Sequence, residues 1–273
     1  MGAPAPVTGG AGPHGALGPA ELRLGAPRRP GEVHVWIVDL DAPAEDASQL
    51  LDAAECDRAA SYLSSVDGGR FAASRTALRR ILGGCLGADP AALRFDTGPG
   101  GRPVLAGRHG QFRQEQGRQL EEGRPLGQEQ RLQFSLSRSA GVALVAVSAG
   151  TVGVDVEAIV PRDGLADLAA ARFSAAEADC ISGGACGGSP LGSFYRHWTA
   201  REAWLKAFGV GLAALRDVEF DCRPAPAIRF RSTDTAPDVR LHLLDCSPEH
   251  AGAVVSAGPV TSWERVPAGA VPR

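Results

Sequence analysis

The sequence predicts a mixed α+β protein, and three patterns carry that prediction. Residues 33–40 form an apolar run of the kind found in a buried strand. Between residues 53 and 85 the apolar spacing changes to that of amphipathic helices. In residues 152–157 apolar side chains alternate with glycine and carboxylates, as in a strand with one buried face.

Composition divides the chain into four regions. Residues 1–30 are rich in Gly, Ala and Pro without an apolar period, which predicts a flexible leader. We expect an N-terminal half over 31–150 and a C-terminal half over 151–265. Arg, Gln, Glu and Gly dominate 108–131, which predicts a low-complexity surface insertion in the first half. Similar runs of valine and small residues at 141–149 and 251–258 hint at internal duplication.

Length and charge exclude several classes of protein. The 273 residues contain 44% hydrophobic residues, ordinary for a globular protein. We find no stretch of about eighteen apolar residues and expect no membrane span. The N-terminus lacks a basic start followed by an apolar segment, so we expect no secretory signal and a cytoplasmic location. The net charge of −3 offers no general attraction for nucleic acid.

Six cysteines occur without a Cys-x-x-Cys spacing. They lie at positions 56, 85, 180, 186, 222 and 246. This arrangement argues against a zinc ribbon or a thioredoxin-like site. We therefore expect reduced thiols, as is usual in the cytoplasm.

The helical region 53–85 predicts two helices broken at 66–69, where a Val-Asp-Gly-Gly sequence occurs. The second helix would carry four arginines, at positions 70, 75, 79 and 80. Arg75 and Arg79 are four residues apart and share a helix face. That face could simply be solvated, or it could bind an anion.

Lys206 is the single lysine in the chain, among 28 basic residues. A lysine can lose or donate a proton, whereas arginine stays charged. Glu202 precedes Lys206 by four residues, so the two could form an ordinary pair on a helix surface. Thr199 and Glu202 also have the spacing of a capping box, which would give Glu202 a structural role at a helix start.

Asp155 and Glu157 fall on the same face of the predicted strand 152–157. Two carboxylates this close repel each other unless water, a cation or a positive side chain lies between them. Oxygen ligands of this type suit Mg²⁺. The alternative is an exposed polar strand face without a ligand.

The two segments together resemble the signature of the 4′-phosphopantetheinyl transferases, and most of all the longer, single-chain Sfp type. Residues 153–157 read Gly-Val-Asp-Val-Glu, and residues 198–206 read Trp-Thr-Ala-Arg-Glu-Ala-Trp-Leu-Lys. The spacing of the two motifs is similar to the family pattern. Three further segments also resemble it: Gly-Arg-Pro at 101–103, Phe-Ser-Leu-Ser-Arg-Ser at 134–139 and Arg-Phe-Ser-Ala-Ala-Glu at 172–177. Arg201 and Arg138 stand where the family usually has lysine and histidine.

The resemblance implies two similar α+β halves in a pseudo-twofold arrangement, as a monomer. It implies transfer of phosphopantetheine from coenzyme A to a serine of an apo acyl, polyketide or peptidyl carrier protein, with release of 3′,5′-ADP and dependence on Mg²⁺. Asp155, Glu157 and Glu202 would hold the metal, and Glu202 and Lys206 would be catalytic. The residues expected to contact coenzyme A are Arg79, Arg102, Ser137, Arg138, Asp155 and Lys206.

Two alternatives remain at this point. The chain could be an inactive family member that binds coenzyme A or a carrier protein, or the match could be fortuitous in an unrelated α+β domain. Trp198, Trp204 and Phe208 are expected to pack rather than bind ligand. His197 is the histidine that adjoins the motif. The Sfp type favours carriers of secondary-metabolite assembly lines.

Overall fold

The structure is a computed structural model that describes residues 32–42, 47–98, 101–106, 132–186, 188–230 and 237–270. The predicted leader over 1–30 and the predicted insertion over 108–131 lie outside these residues. The described part of the chain contains runs of α-helices, runs of β-strands and a few short 3-10 turns, which confirms the mixed α+β class.

The elements that precede residue 150 are β1 (Val33–Asp39), α1 (Ala47–Leu50), α2 (Ala53–Ala60), α3 (Ser65–Leu86), β2 (Phe95–Thr97), β3 (Pro103–Leu105), β4 (Gln133–Ser139) and β5 (Val142–Ser148). Those that follow are β6 (Val152–Ala158), α4 (Leu165–Arg172), α5 (Ala175–Ser182), α6 (Pro190–Phe208), β7 (Val218–Asp221), β8 (Ala227–Phe230), β9 (Arg240–Ser247), β10 (His250–Ser256) and β11 (Val260–Pro267).

Two main sheets organise the described residues. The first has the strand order β11-β1-β5-β4 and the second β6-β10-β9, with hairpins β2–β3 and β7–β8 beside them. β11 pairs in parallel with β1, so a strand from the end of the chain completes the first sheet. A strand from the later part of the chain thus completes a sheet of the earlier part, while the division into halves and their pseudo-twofold relation stay predictions.

The core consists of three apolar layers stacked between α3 and α6. One face of β1 and β5 packs on α3 through Trp36, Val38 and Leu78. The opposite face packs on the second sheet, where Val35 and Ile37 meet Val154 and Val156. The far face of the second sheet packs on α6. The order is therefore helix, sheet, sheet, helix, and strand alternation decides which side chains face each layer.

The predicted break at 66–69 is wrong in position. The helices are separated by residues 61–64, and α3 begins at Ser65 after Ser64, whose hydroxyl accepts a hydrogen bond from the Asp67 N–H. Gly68 lies inside α3, where a Cβ would come within 2.6 Å of the Ala59 carbonyl oxygen. Glycine thus permits close packing of α2 on α3 rather than a break.

No helix in the described ranges is long and apolar enough to cross a membrane.

Candidate active site

Strand β6 places Asp155 and Glu157 on one face, as the sequence predicts. Val154 and Val156 point to the opposite face and are fully buried between the sheets. Asp155 is itself buried, with 3% of its surface exposed, and Glu157 is half-buried. The alternative of a solvent-exposed acidic face is therefore wrong.

A row of serines on β4 faces β6 and joins the two sheets. The Ser135 hydroxyl accepts a hydrogen bond from the Val154 N–H at 3.1 Å. The Ser139 hydroxyl accepts from the Ala158 N–H and donates to Glu157 Oε2 at 2.9 Å. Alternate residues of one edge strand thus fix the orientation of the acidic strand beside it.

Helix α6 crosses directly over β6 at Gly153. A Cβ there would lie 2.1 Å from the Ala203 carbonyl oxygen and 2.3 Å from the Ala207 nitrogen, so only glycine allows this approach. The close approach brings Glu202 and Lys206 over the carboxylates of β6. The first glycine of the motif is therefore a packing requirement of the site.

The capping-box alternative for Glu202 is wrong. α6 begins at Pro190, and the Ser189 hydroxyl caps it by accepting from the Gly192 N–H. Thr199 lies in the middle of the helix, where its hydroxyl donates to the Arg196 carbonyl. Glu202 therefore projects from the second half of a long helix and not from a helix start.

Lys206 joins Asp155 and Ser137 in a triangle of short contacts. Its Nζ lies 2.6 Å from Asp155 Oδ1 and 2.8 Å from Ser137 Oγ. Ser137 Oγ donates to the same Asp155 oxygen at 2.7 Å. The lysine thus pairs across elements with Asp155, and a simple surface pair with Glu202 does not describe it.

The carboxylates of the site hold their protons more tightly than usual. Burial raises the pKa of Glu202, and the Asp155 charge adds to the effect while Lys206 opposes it. Burial and the Asp155 charge also raise the pKa of Glu157, against the Ser139 hydrogen bond. Burial likewise raises the pKa of Asp155, although Lys206 and Ser137 stabilise its charge. The cluster carries more negative charge than one lysine neutralises.

One atom of this cluster lacks a protein partner. Asp155 Oδ2 is buried and has no hydrogen-bond partner among the described residues. A buried acceptor without a donor is costly, and a cation would satisfy it. Asp155 Oδ2 and the carboxylates of Glu157 and Glu202 are hard oxygen donors of the kind that Mg²⁺ prefers. The chemistry of these oxygen donors therefore suits a divalent cation, although the three carboxylates are not among the described groups whose ligand atoms all lie within 4.8 Å of one another.

Of the predicted phosphate-binding arginines, Arg102 lies beside the site and Arg138 lies on the other side of β4. Arg102 donates from Nη1 to the backbone carbonyl of Lys206 and packs at the end of α6. Arg138 neighbours Ser137 on β4 but points to the opposite side of the strand, where it donates to the Tyr62 hydroxyl. Its guanidinium lies 5.3 Å from the Tyr62 ring centroid and 5.5 Å from that of Phe71.

Arg79 does not lie open to a ligand, which corrects both interpretations of its helix face. Its side chain is 0% exposed. Its Nε donates to Glu55 at 2.7 Å and its Nη2 to Asp52 at 3.0 Å, while Nη1 donates to backbone carbonyls. Arg75 pairs with the same Glu55. These arginines form a buried ion cluster that fastens α2 to α3, rather than a solvated or phosphate-binding face.

Glu177 is a structural residue that the sequence reasoning left without a role. It caps α5 through Ser174, accepts from the Phe220 N–H and pairs with Arg201 at 2.6 Å. Arg201 also donates to the Arg172 carbonyl and covers the Phe173 ring at 4.3 Å. The arginine that replaces the usual lysine is therefore anchored by planar contacts that suit a guanidinium.

The aromatic residues of α6 pack as expected. Trp204 is buried, with its ring centroid 5.0 Å from that of Phe208. Trp198 stacks on Phe194 at 6.0 Å. His197 is fully buried on the same helix and is turned away from solvent.

Comparison with known proteins agrees with this geometry. Residues 151–255, which include all three carboxylates and Lys206, match the 4′-phosphopantetheinyl transferase superfamily. The chain is 32% identical over 231 residues to the 4′-phosphopantetheinyl transferase HetI of Nostoc sp., covering 83% of this chain and 88% of that protein. This chain belongs to the 4′-phosphopantetheinyl transferase superfamily. It is also 26% identical over 265 residues to a phosphopantetheinyl transferase of Thraustochytrium sp., covering 87% and 85% of the two chains. Transferase activity follows from this membership.

Proposed function

We propose that this transferase is of the Sfp type and moves the phosphopantetheine group of coenzyme A to a serine hydroxyl of an apo carrier protein. The observation that carries the proposal is the contact of Lys206 with Asp155 and Ser137, beside Glu157 and Glu202. It combines a cationic donor with several carboxylates at the junction of two sheets. Such a site suits a substrate that contains a pyrophosphate.

Asp155, Glu157 and Glu202 would hold a divalent cation, and magnesium fits their hard oxygen donors. When bound, such an ion neutralises pyrophosphate charge during phosphoryl transfer. Support comes from the raised pKa of each carboxyl and from the buried Asp155 Oδ2 without a partner among the described residues.

Glu202 is our candidate general base. The carrier serine oxygen would form a bond to the β-phosphorus of coenzyme A, its proton passing to Glu202 directly or through water, while the bond to 3′,5′-ADP breaks. Burial raises the pKa of Glu202, which strengthens its conjugate base. Lys206, whose ammonium group contacts Asp155, would stabilise or protonate the departing phosphate oxygen.

The nucleotide phosphates would be held at the rim of the site. Arg102, at the end of α6, can bind phosphate through its planar fork of N–H donors, and Arg138 would have to turn from Tyr62 on the other side of β4 to join it. Ser137 would assist by turning its hydroxyl hydrogen, which Asp155 accepts in this structure, towards a phosphate oxygen. Arg79 is left out of this set because its donors serve Glu55, Asp52 and backbone carbonyls.

The partner in this proposal is a small helical carrier domain of a fatty-acid, polyketide or peptide assembly line, with secondary metabolism favoured. We also propose that the enzyme is a monomer and is located in the cytoplasm. Recognition would place a carrier helix in an apolar groove, as other helix-binding proteins do.

The test is the intact mass of an apo carrier protein after incubation with this protein, coenzyme A and magnesium. We expect a gain of one phosphopantetheinyl group, and no gain with Glu202→Ala. Glu249→Ala, a glutamate exposed at a surface turn, is the matched control and should transfer normally. Absence of any gain with fatty-acid, polyketide and peptide carriers, by protein that still binds coenzyme A, would favour an inactive binding protein instead.

A further inference from the structure

A second cluster of ligand-type side chains lies apart from the carboxylate site. Cys180 at the end of α5, Cys186 in the following turn and His197 on α6 each present one ligand atom within 4.8 Å of the other two. Among the described residues, it is the one group of three His, Cys, Asp or Glu side chains whose ligand atoms all lie this close together. The sequence did not reveal it, because the cysteines are six residues apart and the histidine follows eleven residues later.

We propose that Cys180, Cys186 and His197 bind a zinc ion through three protein ligands. Two thiolates and one imidazole are donors that zinc prefers. Two thiolate charges balance the dication, so the occupied site carries no net charge in the apolar core that contains Cys186. Binding would release the two thiol protons to solvent.

The orientation of His197 supports a ligand role. The residue is 0% exposed, and its Nδ1 lies 2.8 Å from the Ser193 carbonyl oxygen. A carbonyl oxygen can only accept, so Nδ1 carries the hydrogen and Nε2 holds the lone pair. Nε2 is buried and has no hydrogen-bond partner in the described part of the chain. A histidine whose other ring nitrogen donates to a backbone carbonyl is the usual arrangement of a zinc ligand.

The two sulfurs must separate to accept the ion. They lie 2.7 Å apart, whereas two zinc–sulfur bonds of about 2.3 Å at a tetrahedral angle hold their sulfurs about 3.8 Å apart. Cys186 lies in the turn between α5 and α6, so about 1 Å of side-chain movement need not disturb a helix. Cys180 is half-buried, which leaves a route to solvent and allows water to take the fourth position.

The consequence of occupancy would be mechanical. The ion would join α5 and its following turn to α6, the helix that carries Glu202 and Lys206. The same two helices are already linked by the pair of Glu177 and Arg201. Zinc would therefore add a second fixed point to the helix that closes the active site.

The test uses the full chain, kept reduced, freed of metal with a chelator and titrated with cobalt(II) as a spectroscopic substitute for zinc. We expect about one cobalt per chain to give thiolate-to-cobalt charge-transfer absorption and the intense visible bands of a tetrahedral site, and any cobalt held by the carboxylates to give neither. Zinc should then displace the cobalt and abolish those bands.

Variants decide whether the cluster is responsible. Cys180→Ala should weaken cobalt binding by about tenfold or more and reduce the thiolate absorption, while its circular dichroism stays that of the parent. Cys56→Ala, which removes an exposed cysteine outside the cluster, should match the parent. Absence of thiolate absorption in the parent, or the same spectrum for both variants, would overturn the proposal. A disulfide would also overturn the proposal. In that case the parent chain purified without reductant would have a mass lower by two hydrogen atoms, and reduction would restore the mass without giving the chain affinity for metal.

Discussion

Replacing Lys206 by methionine would leave Asp155 as a buried charge without its cationic partner. The Nζ of Lys206 lies 2.6 Å from Asp155 Oδ1, and the side chains are 21% and 4% exposed. Methionine preserves the unbranched shape of lysine and removes only the ammonium group. Ser137 would then be the one side-chain donor left to Asp155 among the contacts that the structure shows.

The cost can be estimated from the burial of the pair. Removing one partner of a fully buried ion pair costs about 3–5 kcal/mol. Lys206 retains some contact with water, which lowers that range to about 2–4 kcal/mol. Lys206→Arg should lose less, because it keeps the positive charge. The double variant Lys206→Met/Asp155→Asn should recover part of the loss, because the buried Asp155 charge is removed together with its partner.

The loss should depend on pH in a defined direction. Without Lys206 the pKa of Asp155 rises further above its ordinary value of 3.8, because burial is then opposed only by hydrogen bonds. The folded variant therefore binds more protons than the unfolded chain between the ordinary and the raised pKa. Its deficit relative to the parent should be largest at neutral pH and shrink as the pH falls towards the ordinary carboxyl range.

Urea denaturation at several pH values, followed by circular dichroism, measures these free energies of unfolding. The reasoning would be refuted if Lys206→Met unfolded within about 0.5 kcal/mol of the parent at pH 7, the scale of an ordinary surface substitution. It would be refuted equally by a deficit that grew on acidification.

Three further substitutions test the surroundings of the site. Arg201→Lys should lower the free energy of unfolding by about 1–3 kcal/mol, because lysine cannot donate to both Glu177 and the Arg172 carbonyl as the two Nη atoms of arginine do. Gly153→Ala should cost roughly 1–3 kcal/mol or more and abolish transfer, because the new Cβ meets the backbone of α6. Glu157→Gln should stabilise the metal-free protein by roughly 0.5–2 kcal/mol at neutral pH while impairing transfer, because burial and Asp155 disfavour the ionised carboxyl.

Denaturation midpoints and transfer rates check all three. Equal stability of Arg201→Lys and the parent would show that the guanidinium contacts contribute nothing. A fully active Gly153→Ala would mean that α6 need not approach β6 so closely. For Glu157→Gln the sign is decisive: the raised pKa makes ionisation destabilising as pH rises, so a less stable variant at neutral pH would contradict it.

The local patterns of the motifs were sufficient to predict their own conformation. Alternation in residues 152–157 predicted β6 and the common face of Asp155 and Glu157, since strand periodicity is a local property. A helix that carries Glu202 was also expected, but its start was misplaced. A Ser-Pro pair at 189–190 is a stronger start signal than the Thr-x-x-Glu spacing that we weighed.

Features that depend on distant partners were not predictable. Arg79 looks like a surface cation until Glu55 and Asp52, more than twenty residues away in sequence, are placed beside it. The pairing of β11 with β1 joins the two ends of the described chain, and no local pattern specifies it. The convergence of Cys180, Cys186 and His197 likewise results from how α5 folds back on α6.

The central claim, that Asp155 belongs to the catalytic site, is tested most directly by the mass of an apo carrier protein after a fixed incubation with coenzyme A and magnesium. Asp155→Ala is compared with Asp245→Ala, which removes a carboxylate 92% exposed at the surface. We predict full phosphopantetheinylation by the parent and Asp245→Ala, and a rate lower by several orders of magnitude for folded Asp155→Ala. Transfer by Asp155→Ala at the parent rate would contradict the account.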